Sequence, residues 1–506
     1  MHVLIGVVIL SVLSIGNAYQ KIEEHPEFWT NLGKLGIEES IKKFRKLNSQ
    51  KAKNIILFIG DGMNLGTITA GRTSIGQKTK GKDGEEHVTS IDKLSYTGIV
   101  KTYSVDHQTP DSASTATAIL TGVKTKSQRI GVNANADDCV TSLNNKLTNV
   151  LDLANEQGKS LGIVTTTSLQ HATPAAAYAH VPNRGWYSDR RMKYRDRANN
   201  CIDISLQLLK KRRDIQVLLG GGRSYMRSMD ARDEEGYKGD RKDGRDLIQE
   251  WKEDMERRGG RYVWNISSLN DINPSSTNYL LGMFNARHMI YSVRRKNEPT
   301  LAQMTAKAIQ ILSKNQKGFI LLVEAGLIDV AHHQGRARFA LEEFHELERA
   351  VEVAKTATTE EDTLLIVTAD HGQMFMFGSG SVRGNPVYGL APDNDNPGEA
   401  ADGKRYTSLL YGTGPGNAAV QKSLSRQEVS TRVSRWKNYV VQSAVPMRGA
   451  THSAEDVVVF GRGPMAHMIS GVHEQSYIGH VMMYAACLGP QYQHFSHCKD
   501  NGPTKR

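Results

Sequence analysis

Short, continuous apolar runs that end at or beside an acid or an imidazole constrain this chain more than any other feature. Asn54-Ile55-Ile56-Leu57-Phe58-Ile59 stops at Gly60-Asp61-Gly62. Leu161 to Thr166 leads to His171, Phe319 to Val323 leads to Glu324, and Leu364 to Thr368 leads to Asp370-His371. Val457 to Phe460 follows His452 closely. Apolar runs without alternation are strands buried on both faces, the pattern of parallel sheets. Helical stretches intervene at Thr300 to Ser313 and Phe339 to Thr356. The expected fold is therefore α/β, a three-layer sandwich with a mostly parallel central sheet flanked by helices. In such sheets ligands gather beyond the C-terminal ends of the strands, where most of these polar residues fall.

Two regions break the pattern. Ser224 to Arg258 is dense in charge and reads as a surface excursion; 378–446 is rich in Gly, Pro and Asn and reads as a loop-rich insertion over the sheet. His25 to Lys51 carries Phe28, Trp29, Leu32, Leu35, Ile37, Ile41 and Phe44 among charges, an amphipathic helical arm expected to pack on something. The expected layout is a signal over 1–18, the arm over 19–50, one catalytic domain over 51–500 and a polar tail over 501–506.

Of 506 residues, 23% are charged and 39% hydrophobic, which excludes disordered, collagenous and coiled-coil classes. The one long apolar run, Val3 to Ile15, is followed by Gly16-Asn17-Ala18, so Met1 to Ala18 reads as a secretory signal, a buried N-terminal strand being the alternative. No other run is long enough to span a bilayer. Four cysteines, Cys139, Cys201, Cys487 and Cys498, allow three pairings in a secreted chain. Sequential pairing, which closes local segments, is the expectation. Asn265-Ile266-Ser267 is a glycosylation acceptor if the chain is secreted. Gln491 to Arg506 is polar, without the apolar tail a glycolipid anchor needs, so a soluble extracellular protein is expected.

Asp329 and His333, four apart on a helix, share a face and can meet one cation, and mixed carboxylate and imidazole donors suit Zn²⁺. Glu324, an oxygen donor at a strand end, suits the harder Mg²⁺. Asp370-His371 and Asp61 occupy comparable strand ends, the latter between glycines that permit close backbone approach. Any one of these acids would pass for a turn-capping residue; three on three strand ends form a constellation. Ser112, in Pro110-Asp111-Ser112-Ala113, opens a helix of small residues, where free N–H groups favour an alkoxide or a phosphate. An ordinary helix cap, by Asp111 or Ser112, explains the motif alone, but a metal within reach makes Ser112 a nucleophile.

Together these motifs resemble the alkaline phosphatase family, in its animal secreted and membrane-anchored branch. The similarity runs from about His25 to Cys498. It includes Phe58 through Met63, Pro110 through Ala113, Gln170-His171-Ala172-Thr173-Pro174, Asn183 through Asp189, Glu324, Ile328 through His333, Thr368 through His371 and Thr451 through Val457. The resemblance implies a site for two zinc ions and one magnesium ion. Asp329, His333 and His452 would hold one zinc; Asp61, Asp370 and His371 would hold the other, with Ser112 as its reactive oxygen. Asp61, Thr173 and Glu324 would hold magnesium, with His171 standing just outside. Arg184 would clamp two phosphate oxygens with its fork of donors. The implied activity is phosphate monoester hydrolysis through a phosphoserine. The resemblance also implies a homodimer embraced by the N-terminal arm, a crown formed by 378–446, and the same sequential disulfides.

Two departures stand out. Relatives with a further calcium site use a Phe carbonyl and a neighbouring acid, whereas Phe284 here is followed by Asn285 and Arg287, so a calcium site using Glu235 and Glu298 is doubtful. Gln373 stands where many relatives carry a histidine, and tuning of the site is expected from it. The competing readings are a diester or sulfate hydrolase of the same superfamily and a binding protein that has lost catalysis; filled ligand positions and Arg184 favour the monoesterase. Lys+Arg exceed Asp+Glu by 64 to 53, a net +11, and the basic run Arg426 to Lys437 is the expected place for any polyanion contact. No specific nucleic-acid partner is implied.

Overall fold

A computed structural model describes residues 23–499 apart from 46, 80–81, 212, 379 and 392–398. The expected signal over 1–18 and the tail over 501–506 lie outside the described residues. In chain order the strands are β1 (Asn54–Gly60), β2 (Tyr96–Lys101), β3 (Ser160–Ser168), β4 (Val217–Gly221), β5 (Gly260–Val263), β6 (Tyr279–Met283), β7 (Phe319–Ala325), β8 (Thr363–Ala369), β9 (Gly372–Gln373), β10 (Phe375–Phe377), β11 (Leu409–Gly414), β12 (Ser443–Pro446), β13 (His452–Ser453), β14 (Val457–Arg462) and β15 (Gly471–Glu474). One ten-stranded sheet runs in the order β15-β2-β14-β8-β1-β7-β3-β4-β6-β5. It is parallel except where β14 pairs antiparallel with β2 and β8.

The apolar runs form the middle of that sheet because they have nowhere wet to face. Every residue of β1, β7 and β8 is buried. Helices Leu65–Gly76, Leu301–Leu312 and Ala337–Ala357 pack together on one side; Ser112–Thr121, Val150–Glu156 and Tyr477–Ala486 pack together on the other. The helix Leu301–Leu312 begins with a capping box between Thr300 and Gln303 and buries Leu301, Met304, Thr305, Ala308, Ile309, Ile311 and Leu312. That is the stripe a helix lays against a sheet. The helix Ser112–Thr121 is buried along its whole length, which its Ser, Ala and Thr residues permit. It stops at Gly122, whose φ of 77° is left-handed and where a Cβ would lie 2.8 Å from the His480 ring.

Three expectations change. Ser224 to Arg258 is no surface excursion: the helix Leu247–Met255 buries Leu247, Ile248, Trp251 and Met255. Arg241, with no exposure, donates to both Asp203 oxygens at 3.0 and 3.1 Å. Charge density misleads there because the charges neutralise one another inside the fold. The arm is a helix, Pro26–Arg45, but its apolar residues find no cover in this chain; Trp29 is 53% and Phe44 74% exposed. The 378–446 insertion contains order: its own β11 and β12 form a three-stranded sheet with β10, which immediately precedes it. Beneath them Val387, Leu409, Tyr411 and Val441 close a second core against Ala70, Ala337 and Leu341.

The disulfides pair sequentially, Cys139 with Cys201 and Cys487 with Cys498. They close segments of 62 and 11 residues. Loop entropy assigns about 4 kcal/mol to the longer and about 3 kcal/mol to the shorter. The double serine variant at Cys139 and Cys201 should thus lose more stability in denaturant than the one at Cys487 and Cys498; the reverse order in equilibrium unfolding would refute the entropic account.

Candidate active site

The C-terminal ends of β8, β1, β7 and β3 are neighbours, and each delivers polar groups to one place. In register, Ile59 pairs with Glu324 on one side and with Thr368 on the other. Asp61 follows β1, Asp370 and His371 follow β8, Glu324 lies near the end of β7, and His171 and Thr173 follow β3. Gly62 turns the chain with a φ of 69°, and a Cβ there would lie 3.0 Å from Asp329 Oδ1 and from Gln373 Cγ. Only glycine leaves that space.

Asp329 and His333 project together from the helix Leu327–His333, with His333 Nε2 3.1 Å from Asp329 Oδ2. The two-residue ribbon of β9 and β13 brings His452 to the same point, 3.4 Å from Asp329 Oδ1. His333 donates from Nδ1 to the Ala450 carbonyl at 2.6 Å, and His452 from Nδ1 to the Pro110 carbonyl at 2.9 Å. Both rings therefore turn Nε2 inward, towards Asp329 and to within 3.1 Å of each other, the orientation metal ligands need. Ser112 starts the helix Ser112–Thr121, its Oγ 3.1 Å from His371 Nε2 and 3.4 Å from Asp61 Oδ1.

At this site three sets of donors have ligand atoms within 4.8 Å of one another: Asp329, His333 and His452; Asp61, Asp370 and His371; Asp61, His171 and Glu324. Asp61 Oδ2, His171 Nδ1, Thr173 Oγ1 and Glu324 Oε1 are buried without any hydrogen-bond partner. Buried polar atoms are almost always satisfied, so orphans gathered at one site point to a ligand. Mixed nitrogen and oxygen donors in the first two sets fit zinc, and the oxygen-rich third fits magnesium.

Burial first, and then Asp370, Asp329 and Glu324, push the Asp61 carboxyl well above the usual range. Burial likewise raises Asp370, to about 7. Burial also acts on Asp329, but His333 and His452 overcome it and hold that carboxylate well below the ordinary value. The reciprocal attraction raises His333 to about 9 against its own desolvation. Burial keeps His371 neutral, as a ligand must be.

A cavity of about 530 Å³ lies over these groups, lined in part by Ser112, Arg184, Val330, His333 and Arg448. Arg184 donates from Nη1 to Asp111 Oδ2 and from Nη2 to His171 Nε2, each at 3.1 Å. Burial opposes the Asp111 charge, yet Arg184 and the Gln128 amide hold its pKa low. Asp111 was legible only as a helix cap, and it is one, accepting from Ser114 N at 3.3 Å; its second task as the anchor of Arg184 was not. Arg448 and His288 also escaped the sequence reading. The His288 ring meets His171 edge-on at 5.3 Å. Its position after a strand of the sheet's far half gave no signal. Gln373, paired in register with His452, donates to Asp329 Oδ1, so the tuning expected of it has a route. His332, next to His333 in the chain, is buried between Thr67 and Tyr411.

At the doubtful calcium position, Glu235 pairs with the buried Arg223 guanidinium, and Glu298 accepts from Asn285 Nδ2 at 2.6 Å and from the Ile290 amide at 2.7 Å. Asn265 caps a short helix through Oδ1, accepting from Ser268 N at 2.8 Å.

The profile of the family described as alkaline phosphatase matches residues 52–488. The chain is 45% identical to the tissue-nonspecific isozyme of alkaline phosphatase from Gallus gallus, over 96% of this chain and 94% of that protein. It is 44% identical to the Homo sapiens tissue-nonspecific isozyme, over 93% of this chain and 90% of that protein. Among solved structures, Thermus thermophilus alkaline phosphatase superposes with a TM-score of 0.62 at 22% identity, over 88% of this chain and 93% of that one. A mutant alkaline phosphatase from the Antarctic bacterium TAB5, with magnesium bound in its M3 site, has a TM-score of 0.59 at 22% identity, over 87% of this chain and 99% of that one.

The crowding of acids sets a pH dependence for the metal-free protein. Asp370, raised from 3.8 to about 7, lends stability that is complete below its unfolded pKa and is lost as pH rises through about 7. The His333 contribution is complete below 6.5 and is lost as pH rises through about 9. Asp329 acts oppositely, but only under acid conditions. Melting temperature after chelation should fall from about pH 7 to about pH 9, above the window in which the depressed His288 and His332 titrate, and zinc with magnesium should flatten that fall. A flat or rising profile in chelator would contradict this assignment of charge.

Proposed function

The chain belongs to the alkaline phosphatase family and is a phosphomonoester hydrolase; from that premise we propose that it works through a phosphoserine on Ser112, with two zinc ions and one magnesium ion in the site. The observation that carries this reading is the convergence of three donor sets around a single hydroxyl at the start of a buried helix. Asp329, His333 and His452 would hold one zinc; Asp61, Asp370 and His371 the second; Asp61, Thr173 and Glu324 the magnesium, with His171 beside them. When bound, the metal ions would lower the pKa of the Ser112 hydroxyl and of the attacking water, and spread the charge of the phosphoryl group.

The chain's own part is positioning. Arg184, fixed by Asp111 and His171, presents its remaining donors to two phosphoryl oxygens from the cavity wall. The first amides of the helix Ser112–Thr121 add partial positive charge where the oxygens gather. Ser112 lines the cavity, where its Oγ would attack the phosphoryl group in line, and rigid strand ends hold Asp61 and Asp370 beside it. The proposed roles all address the phosphoryl group, so breadth in the alcohol portion is expected.

Ser112→Ala should lower turnover of p-nitrophenyl phosphate by at least about 10³-fold with the metal content unchanged. Arg184→Lys should cost about 10²-fold because a point charge cannot replace the fork. Full turnover by the Ser112 variant, or faster hydrolysis of bis-p-nitrophenyl phosphate than of the monoester, would refute this reading.

Secretion is proposed from the Met1 to Ala18 segment and from two disulfides, which persist in oxidising compartments; the Asn265 sequon would then carry glycan. Among the described residues no helix is long and apolar enough to cross a membrane. The exposed apolar stripe of the Pro26–Arg45 helix is proposed to be covered by a second copy of the chain. Removing residues 23–45 should convert a dimer to a monomer in light scattering; an unchanged dimer mass would place the interface elsewhere.

A further inference from the structure

A concavity of about 370 Å³ opens outside the metal-binding groups, with Arg190, Lys238 and Arg287 on its walls and a single carboxylate, Asp240, among its lining residues. It adjoins the catalytic cavity through the chain itself. Arg287 precedes His288, whose ring meets His171, and His171 lines the catalytic cavity. Arg190 lies in the short turn Asp189–Arg191, six residues after Arg184.

The charges are not balanced. Asp240 already accepts from Arg191 Nε at 2.9 Å and from Ser188 Oγ at 2.8 Å, and lies 3.5 Å from Arg190 Nη1. Lys238 and Arg287 have no ion-pair partner among the described residues and are exposed. The Arg287 guanidinium carbon stands 6.0 Å from the Tyr225 ring and that of Arg191 5.2 Å, so one buried aromatic face steadies two cations. Three cations, Arg190, Lys238 and Arg287, thus share a recess with one carboxylate that Arg191 already pairs, a shape that concentrates positive potential. In the basic run Arg426 to Lys437, the first cation is already engaged. Arg426 is spent on Asp402 and on the carbonyls of Lys404 and Arg405, and Arg405 pairs with Glu428.

We propose that this concavity is a second anion site, which takes the phosphate or sulfate groups of a polyanion and docks it beside the catalytic cavity. Arginine forks match tetrahedral oxyanions in pairs, and Lys238 adds a flexible point charge at the rim. The site depends on the fold of residues 188–240 and 284–288 and not on metal loading, so it stands or falls separately from the phosphoserine mechanism. Binding there is expected to weaken with salt, as exposed charges are screened.

The probe is inositol hexasulfate, titrated calorimetrically into the full-length, metal-loaded enzyme, with inorganic sulfate at equal ionic strength as the free-ion arm. The double variant Lys238→Ala, Arg287→Ala should bind hexasulfate at least about tenfold more weakly. Its kcat/KM for p-nitrophenyl phosphate should be unchanged, and Lys42→Ala, Lys43→Ala on the arm should bind normally. Unchanged binding in the first variant, equal loss in the arm variant, or no preference for hexasulfate over sulfate would each overturn the proposal. Should the double variant fold poorly, Lys238→Gln alone must still weaken binding and flatten its salt dependence.

Discussion

Like charge buried at the C-terminal edge of a parallel sheet is the condition the rest of this structure answers to. Asp61, Glu324 and Asp370 have no exposure and Asp329 has 5%. Carboxylates so placed cannot all ionise unless cations compensate them, because both desolvation and mutual repulsion oppose the charge. The chain compensates Asp329 itself, with His333 and His452. For Asp61 it offers only the more distant Arg184, and burial leaves that carboxyl high. The deficit is concentrated where the orphaned oxygens of Asp61, Thr173 and Glu324 lie. Divalent ions there would complete the fold as much as the chemistry, since their binding energy is folding energy for ligands that repel one another without them.

Holding such groups in place demands rigid supports, and the sheet supplies them. Four adjacent strands end at one level, so ligands separated by hundreds of residues arrive with little freedom. The groups that come from outside the sheet are fixed individually. His333 and His452 are each locked by an Nδ1 bond to a backbone carbonyl. Gln373, on the ribbon that carries His452, reaches Asp329 and so ties together two groups from separate segments. Arg184 is held on both arms, by an acid and by an imidazole. A guanidinium fixed before the ester arrives loses less freedom on binding it than a free side chain would.

What the sequence disclosed, and what it hid, follows from the same physics. β1, β7 and β8 were legible because burial on both faces leaves no room for polar alternation, so they read as unbroken apolar runs. Their polar ends were legible for the converse reason: acids and imidazoles directly after such runs have no packing role. β2 was not legible, since its alternating exposure resembles any surface strand. The Ser224 to Arg258 stretch misled because side-chain charge reports solvation only when it has no partner, and Arg241 finds Asp203 from a distant segment. Asp111 misled in a subtler way. The cap it was read as is real, and its other carboxylate oxygen is what anchors Arg184.

The net charge of +11 has to be apportioned in the same spirit. Several of the acids counted in that sum are sealed inside the site, where they meet ligands and not solvent. The outer surface is correspondingly more basic than the total suggests, and the divalent ions expected in the site would shift the balance further. An approaching phosphate ester therefore meets cations, Arg448 and Arg184, along the walls of the catalytic cavity. Of the buried carboxylates that would repel it, only Asp329, already compensated by His333 and His452, lines that cavity. Burying the acids thus serves two ends: it creates the demand for metal, and it hides from the substrate the charge that supplies that demand.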